Sequence, residues 1–282
     1  MRRHAAATLI ALASCEASVD SRPSDAAPDS VDATDAPGPL GPWGTPVAIA
    51  LTPAGVDDDP SATGDLLELY FNRTQDIWVV TRPSITAPWG TPVRVAELSS
   101  PENDTTPEVS HDGLAIYLAS NRPGGLGSND IWSATRQSRM DPWSAPALVP
   151  AINSAANETS SATADDLTMV LDSARGTMDD LYLSTRTTTA EPWGTPVLLS
   201  PPSGPTDDTN PVLTADQREL YFDSDRTGDA ELHVAVRADP GAPFEVAELI
   251  TELAAPGLDN DAWISPDRRT LLFTSNRDGT VR

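Results

Sequence analysis

Residues 120–136 read SNRPGGLGSNDIWSATR. A glycine-rich turn, an acidic residue and a strand-like run ending in Thr-Arg stand there in order. A phosphate-cradling glycine loop has to open a helix, because the helix N-terminal amides hold the anion. Here a strand pattern follows instead. The arrangement also recurs, as DIWVVTR from Asp76, DIWSATR from Asp130, DLYLSTR from Asp180 and ELHVAVR from Glu231. Gly124, Gly125 and Gly127 therefore lie in a turn of variable length, shortened to NRTQ in the first copy and written DRTGDA in the fourth. The stretch is one copy of a structural unit.

Two further series keep the same order. Ser/Thr-x-Asp occurs with its aspartate at Asp65, Asp112, Asp165, Asp216 and Asp267, at spacings of 47, 53, 51 and 51 residues. An apolar run follows each: LLELYF, LAIYLAS, LTMVLDS, RELYFDS and RTLLFTS. WGTPV stands at Trp43, Trp89 and Trp193, with WSAPA at Trp143 and a degenerate FEVAE at Phe244. Each unit of about fifty residues reads as four short strands, the pattern of a propeller blade. The expected fold is all-β: a β-propeller of four-stranded antiparallel blades. The apolar second strands suit sheets covered on both faces. Trp78, Trp132 and Tyr182 are expected to fill space between blades. The aspartate of Ser/Thr-x-Asp suits a tight turn. Arg73, Arg122, Arg175, Arg226 and Arg277, each after a second strand, read as partners of an acidic neighbour in a structural bridge.

These motifs resemble the WD40-like propeller repeat of the TolB type, with its Ser-Pro-Asp-Gly turn, Ser-Asn/Asp-Arg element and Asp-Ile-Tyr/Trp strand. Ser265-Pro266-Asp267, Ser275-Asn276-Arg277, Ser120-Asn121-Arg122 and Asp130-Ile131-Trp132 carry the likeness, which extends over residues 43–282. The glycine after the turn aspartate is kept only at Gly113. The resemblance implies a propeller engaged in protein contacts in the bacterial envelope.

Strand counting leaves a gap. An isolated fourth strand begins near Trp43, four full units follow, and two strands of a fifth end at NRDGTVR, one strand short of five complete blades. The strand near Trp43 is expected to complete the last blade and pair its edge. A truncated reading frame, a three-stranded last blade or a strand from a partner would account for the missing third strand. TolB-type relatives often have six blades, so a fragment of a six-bladed ring is the alternative.

The N-terminus reads differently. MRRHAAATLIALASC has a basic start, a short apolar run, and Leu-Ala-Ser before Cys15, the only cysteine of the 282 residues. It resembles a bacterial lipoprotein signal, in which the cysteine receives the lipid and becomes the mature N-terminus. Residues 1–14 are thus expected to be a signal peptide. Residues 15–42, the lipidated Cys15 and an Asp/Ala/Pro-rich stretch with little to bury, read as a disordered tether. Residues 43–282 form the propeller, held at a membrane through the lipid on Cys15 and facing the periplasm or the cell surface. A net charge of −24, with no lysine, repels nucleic acid.

Candidate chemistry is sparse. Of three histidines, His4 falls in the signal, His111 in a turn and His233 at an aromatic position of a third strand. Ser110-His111-Asp112 are sequence neighbours, unlike the members of a catalytic triad. No catalytic set emerges, and no cofactor is implied. What recurs is acidic: Asp57, Asp58, Asp104, Glu158, Asp207, Asp208, Asp259 and Asp261 fall in clusters before each first strand. They are expected to ring one mouth of the central channel. Capped turns and solvated loops are one reading. The other is a site for a hard cation such as Ca2+, or for a basic or polyhydroxyl ligand. A non-catalytic module binding an envelope protein or ligand is the leading function. A carbohydrate-binding or glycosidase-like propeller using paired acids is the alternative.

Overall fold

A computed structural model describes residues 42–51, 55–163 and 165–277, together with the backbone of the strand Leu9–Ser14. Five four-stranded antiparallel sheets form a β-propeller, and the described residues contain no helix. Blade 1 runs from the innermost strand outward as Asp57–Ala62, Glu68–Arg73, Asp76–Thr81 and Val93–Arg94. Blade 2 repeats it as Asp104–Val109, Ala115–Ser120, Asp130–Thr135 and Ala147–Leu148. Blades 3 and 4 follow with first strands Ser161–Thr163 and Asp208–Leu213. The ring closes where Asp259–Ile264 of blade 5 packs beside the first strand of blade 1.

The second strands are the most buried elements, as expected of apolar runs sandwiched between sheets. Leu69, Phe71, Leu118, Leu171, Phe222 and Phe273 have no exposed surface. At three blade interfaces the tryptophan before the fourth strand of one blade packs on a tyrosine of the blade before it. Trp143 meets Tyr70 edge-on at 6.0 Å, Trp193 meets Tyr117 at 6.4 Å, and Trp43 meets Tyr221 at 6.5 Å. The fourth strand itself is only two residues long in every blade, beginning after the proline where that residue is present.

The Ser/Thr-x-Asp turns close as expected. Thr63, Ser110, Thr214 and Ser265 donate their hydroxyls to Asp65, Asp112, Asp216 and Asp267, at 2.6–2.7 Å. The next residue is left-handed in all five copies: Leu66, Gly113, Asp166, Gln217 and Arg268, with φ between 57° and 76°. Only Gly113 occupies that region without steric cost. The turn geometry is retained where its glycine is not, at about 1–2 kcal/mol for each side chain so held.

Blade 5 combines both ends of the sequence. Its first two strands are Asp259–Ile264 and Thr270–Ser275, and its fourth is Val47–Ala48, as expected of the segment after Trp43. The third place is taken by Leu9–Ser14, which pairs from Leu9 with Ser275 to Ser14 with Thr270, and then with Val47 and Ala48. This run lies within the segment read as a signal peptide. Its register sets Ile10 where the other blades carry Ile77, Ile131, Leu181 and Leu232. A short apolar segment with small residues thus satisfies the backbone of an inner strand position. Cys15 and most of the expected tether lie outside the described residues.

Candidate functional site

The eight acidic residues singled out in the sequence separate into two tiers. Asp57, Asp104, Glu158, Asp208 and Asp259 occupy the same position in each blade, and each binds the arginine that follows the second strand. Arg73 grips Asp57 through Nε and Nη2, and Arg122 pairs with Asp104. Arg175 meets Glu158 at 3.1 Å, Arg226 meets Asp208 at 2.6 Å and Arg277 meets Asp259 at 2.9 Å. In blades 2–5 the guanidinium also donates to a main-chain carbonyl of the preceding loop, through Leu98, Ile152, Pro202 and Leu253. The same groups lie over aromatic rings, including Trp132 at 5.4 Å and Tyr182 at 4.9 Å. These five carboxylates stitch each blade to its own loop. Asp207 instead faces outward at the mouth and accepts from the Asp179 amide at 3.2 Å.

Asp58 and Asp261 belong to the second tier, inside the channel. Four first strands carry a β-bulge, with a left-handed residue in each: Asp59, Thr106, Asn210 and Asp261, at φ 52°, 46°, 50° and 56°. Together with Ser160 they line the central channel, one from each blade. For Thr106, β-branched, this conformation is a genuine outlier. Behind this ring, second-strand residues Asp172 and Asp223 face inward. Asn210 Nδ2 bridges the Asp223 and Asp261 carboxylates, the Asp261 amide donates to Asp223, and the Thr106 amide donates to Asp59 at 3.2 Å. Thr159 and Ser160 hydroxyls donate to Asp172, and Ser61 donates to Glu108 at 2.8 Å.

Among the described residues that line this cavity there is no arginine or histidine, and the sequence has no lysine. Burial therefore dominates the carboxyl pKa values. Asp59 is pushed up to about 8 by desolvation and the neighbouring Asp58 charge, and Glu108 to about 8 by desolvation. Asp172 rises to about 6. Asp58, Asp223 and Asp261 are raised as well, in each case by burial first. Hydrogen bonds join Asp261 to both Asp58 and Asp59, an arrangement that requires shared protons. The cavity at this point is about 40 Å³, room for a few waters. Among the described residues, no group of three or more His, Cys, Asp or Glu side chains is arranged to hold a metal ion.

Asp59 belongs to the expected Asp57-Asp58-Asp59 cluster, whereas Glu108, Asp172 and Asp223 were not among the expected site residues. Asp172 and Asp223 stand inside apolar second strands, at the position held by Asn72, Ala119 and Thr274 elsewhere. Recurrent polarity at that one place was the available signal. His233 is buried and stacked on Phe222 at 6.1 Å, in keeping with a packing role.

No family model matches the sequence, and a search of the curated proteins gives no match. Solved structures do match. An Agrobacterium tumefaciens protein assigned as TolB superposes with a TM-score of 0.56 at 15% identity, covering 96% of this chain and 78% of that one. In fold, the chain is TolB-like. A thermostable family-43 glycoside hydrolase reaches 0.54 at 16% identity, over 80% of this chain and 86% of its own. An α-L-arabinofuranosidase from Lactobacillus brevis reaches 0.54 at 14%, over 78% and 84%. The TolB-like ring is thus an architecture shared with sugar hydrolases, and the likeness specifies fold rather than chemistry.

Proposed function

We propose that this chain is an exported, lipid-anchored propeller of the cell envelope that binds a basic partner on its acidic channel mouth and performs no chemistry on it. The observation that carries this reading is the crowding of acids on the blade face around that mouth, at the starts of the third strands. Asp179 and Asp180 are raised by burial and then by like charges, Asp207 pressing on both and Asp208 on Asp180. Glu231 is pushed up to about 7 by burial and by Asp259. A cationic side chain from a partner relieves this repulsion, and the overall charge of −24 draws such a partner in. The TolB-like fold and the lipoprotein-like sequence ending at Cys15 support the envelope location. Cleavage ahead of Cys15 would remove Leu9–Ser14, so the anchored form gives up that strand and leaves the third place of blade 5 to be filled otherwise.

The glycosidase alternative has the fold of the two hydrolases behind it, and in Glu108 a carboxyl that stays protonated at neutral pH. Against it stand the channel dimensions. A ligand pocket for a small molecule holds roughly 300 Å³ or more, against about 40 Å³ here. Asp261 is in hydrogen-bond contact with Asp58 and Asp59, whereas paired glycosidase acids stand about 5 Å or more apart.

Fluorescence anisotropy with an arginine-rich decapeptide tests the binding reading. Binding is expected to weaken at least tenfold between 50 and 300 mM salt, as the Debye length falls from about 14 Å to about 6 Å, and a further tenfold in Asp179→Asn/Asp180→Asn/Asp207→Asn. An affinity unchanged by the triple substitution, or turnover of aryl arabinofuranosides by the wild type, would defeat it. The anchor has its own readout. The full chain expressed in a lipidating bacterium should partition into the detergent phase, and Cys15→Ser should move it to the aqueous phase. Equal partition of the two would remove the anchor from the proposal.

A further inference from the structure

The blade interfaces differ in one ionic link: the 1–2 interface has it in full, while the 2–3, 3–4 and 5–1 interfaces carry Ala115/Thr189, Thr168/Pro240 and Thr270/Ile85 at the two positions that make it. Between blades 1 and 2, Glu68 accepts from Tyr70 Oη at 3.0 Å, from Arg136 Nη2 at 2.6 Å and from Arg139 Nε at 3.0 Å. Arg139 also reaches the turn aspartate Asp65, at 2.5 Å. Between blades 4 and 5, Glu219 and Asp216 receive Arg268 in a similar way, at 2.8 and 3.3 Å. Between blades 2 and 3 the framework is kept and the two connecting groups are absent. Ala115 stands at the Glu68 position, the first residue of the second strand, and Thr189 stands at the Arg139 position, three residues after the third-strand arginine. The result is a cavity of about 360 Å³.

Its walls retain the groups that the lost pair would have met. Arg186, the counterpart of Arg136, lies over Trp193 at 4.2 Å and donates through Nε to the Asp166 carbonyl at 2.7 Å, as Arg136 does to Gly113. A hydrogen bond ties it to Tyr117. Among the described residues no carboxylate lies within ion-pair distance of Arg186, whereas Arg136 has Glu68. Asp112, the counterpart of Asp65, lines the same space without a guanidinium to receive, and Asp166 lines it beside Asp112. Burial and then like-charge contact with Asp112 raise Asp166, against the attraction of Arg186 and a hydrogen bond with Thr163.

We propose that this cavity is a binding site for a free α-amino acid, its carboxylate on Arg186 and Tyr117 and its ammonium on Asp112 and Asp166. In blade 1 the missing groups are a carboxylate and a cation in direct contact, and an α-amino acid carries both on one carbon. The size falls within the range of small-ligand pockets. An anion alone would leave the repulsion between Asp112 and Asp166 in place, and a cation alone would leave Arg186 without a carboxylate at ion-pair distance.

Titration calorimetry on the full chain tests this, using a panel of L-α-amino acids with acetate and methylamine as single-charge probes. At least one amino acid should bind with 1:1 stoichiometry, at least tenfold tighter than either single-charge probe. Ala115→Glu/Thr189→Arg, which rebuilds the blade 1 network, should weaken binding at least fiftyfold without loss of secondary structure by circular dichroism. Should the double variant misfold, Thr189→Arg alone, on an exposed loop, serves in its place and should weaken binding at least tenfold. The proposal is overturned if no amino acid binds at millimolar concentration, if acetate binds as tightly as the best amino acid, or if the folded variant binds like the wild type.

Discussion

Arg226→Met should destabilise the propeller by about 3–5 kcal/mol, the cost of leaving a buried carboxylate without its cation. Asp208, the partner at 2.6 Å, has a side chain with no exposed surface, while Arg226 itself is 20% exposed. Methionine preserves most of the aliphatic packing beneath the guanidinium, which sits 5.3 Å from the Phe222 ring. The loss therefore reports the charge and its bonds to Asp208, Ser224 and the Pro202 carbonyl. Urea unfolding should show a lower midpoint at an unchanged slope. Asp208→Asn in the Arg226→Met background should recover part of the loss by removing the orphaned charge. A cost under about 1 kcal/mol would assign the bridge the value of a surface ion pair.

The second large effect is a pH dependence opposite to common acid denaturation. A carboxyl whose folded pKa lies above its unfolded value keeps a proton that the unfolded chain has already released. Its contribution is full below about pH 4 and is lost as pH rises towards the folded value. Asp59 and Glu108 place the end of that window at about 8, and Asp172 at about 6. Asp58, Asp223 and Asp261 act in the same direction. Melting temperature at constant ionic strength should accordingly rise from pH 8 to pH 5.5, by roughly 10 °C for several kcal/mol in a domain of this size. Asp59→Asn should flatten the profile. Asparagine suits the left-handed backbone there, and blade 4 already uses Asn210 at the same place. A melting temperature that climbs towards pH 8 would mean that the channel acids are ionised and paired with something else.

Much of this architecture is legible in the repeat. Each turn aspartate, each bridging arginine and each interblade tryptophan recurs at a fixed place, because every blade solves the same packing problem. The channel was less legible for a physical reason. Its acids lie on bulged first strands and on the inward face of apolar second strands, where neighbouring copies carry Ala119 or Thr274. The left-handed φ of Thr106 has no signature in residue type. Asp57, Asp104, Glu158, Asp208 and Asp259 were conspicuous as a series, and their periodicity is that of an ion pair built into every blade.

The composition of blade 5 also sets an order of assembly. Blades 1 to 4 each form from one continuous segment, so each sheet can be completed soon after its residues leave the ribosome. The fifth sheet needs Leu9–Ser14 and Val47–Ala48 together with Thr270–Ser275, a separation of more than two hundred residues. Its closure is a long-range, high-contact-order event that waits for nearly the whole chain. Until then the nascent protein is an arc with an unpaired edge at either end, and whatever holds residues 9–14 elsewhere in that interval, an export machinery included, competes directly with the closing of the ring.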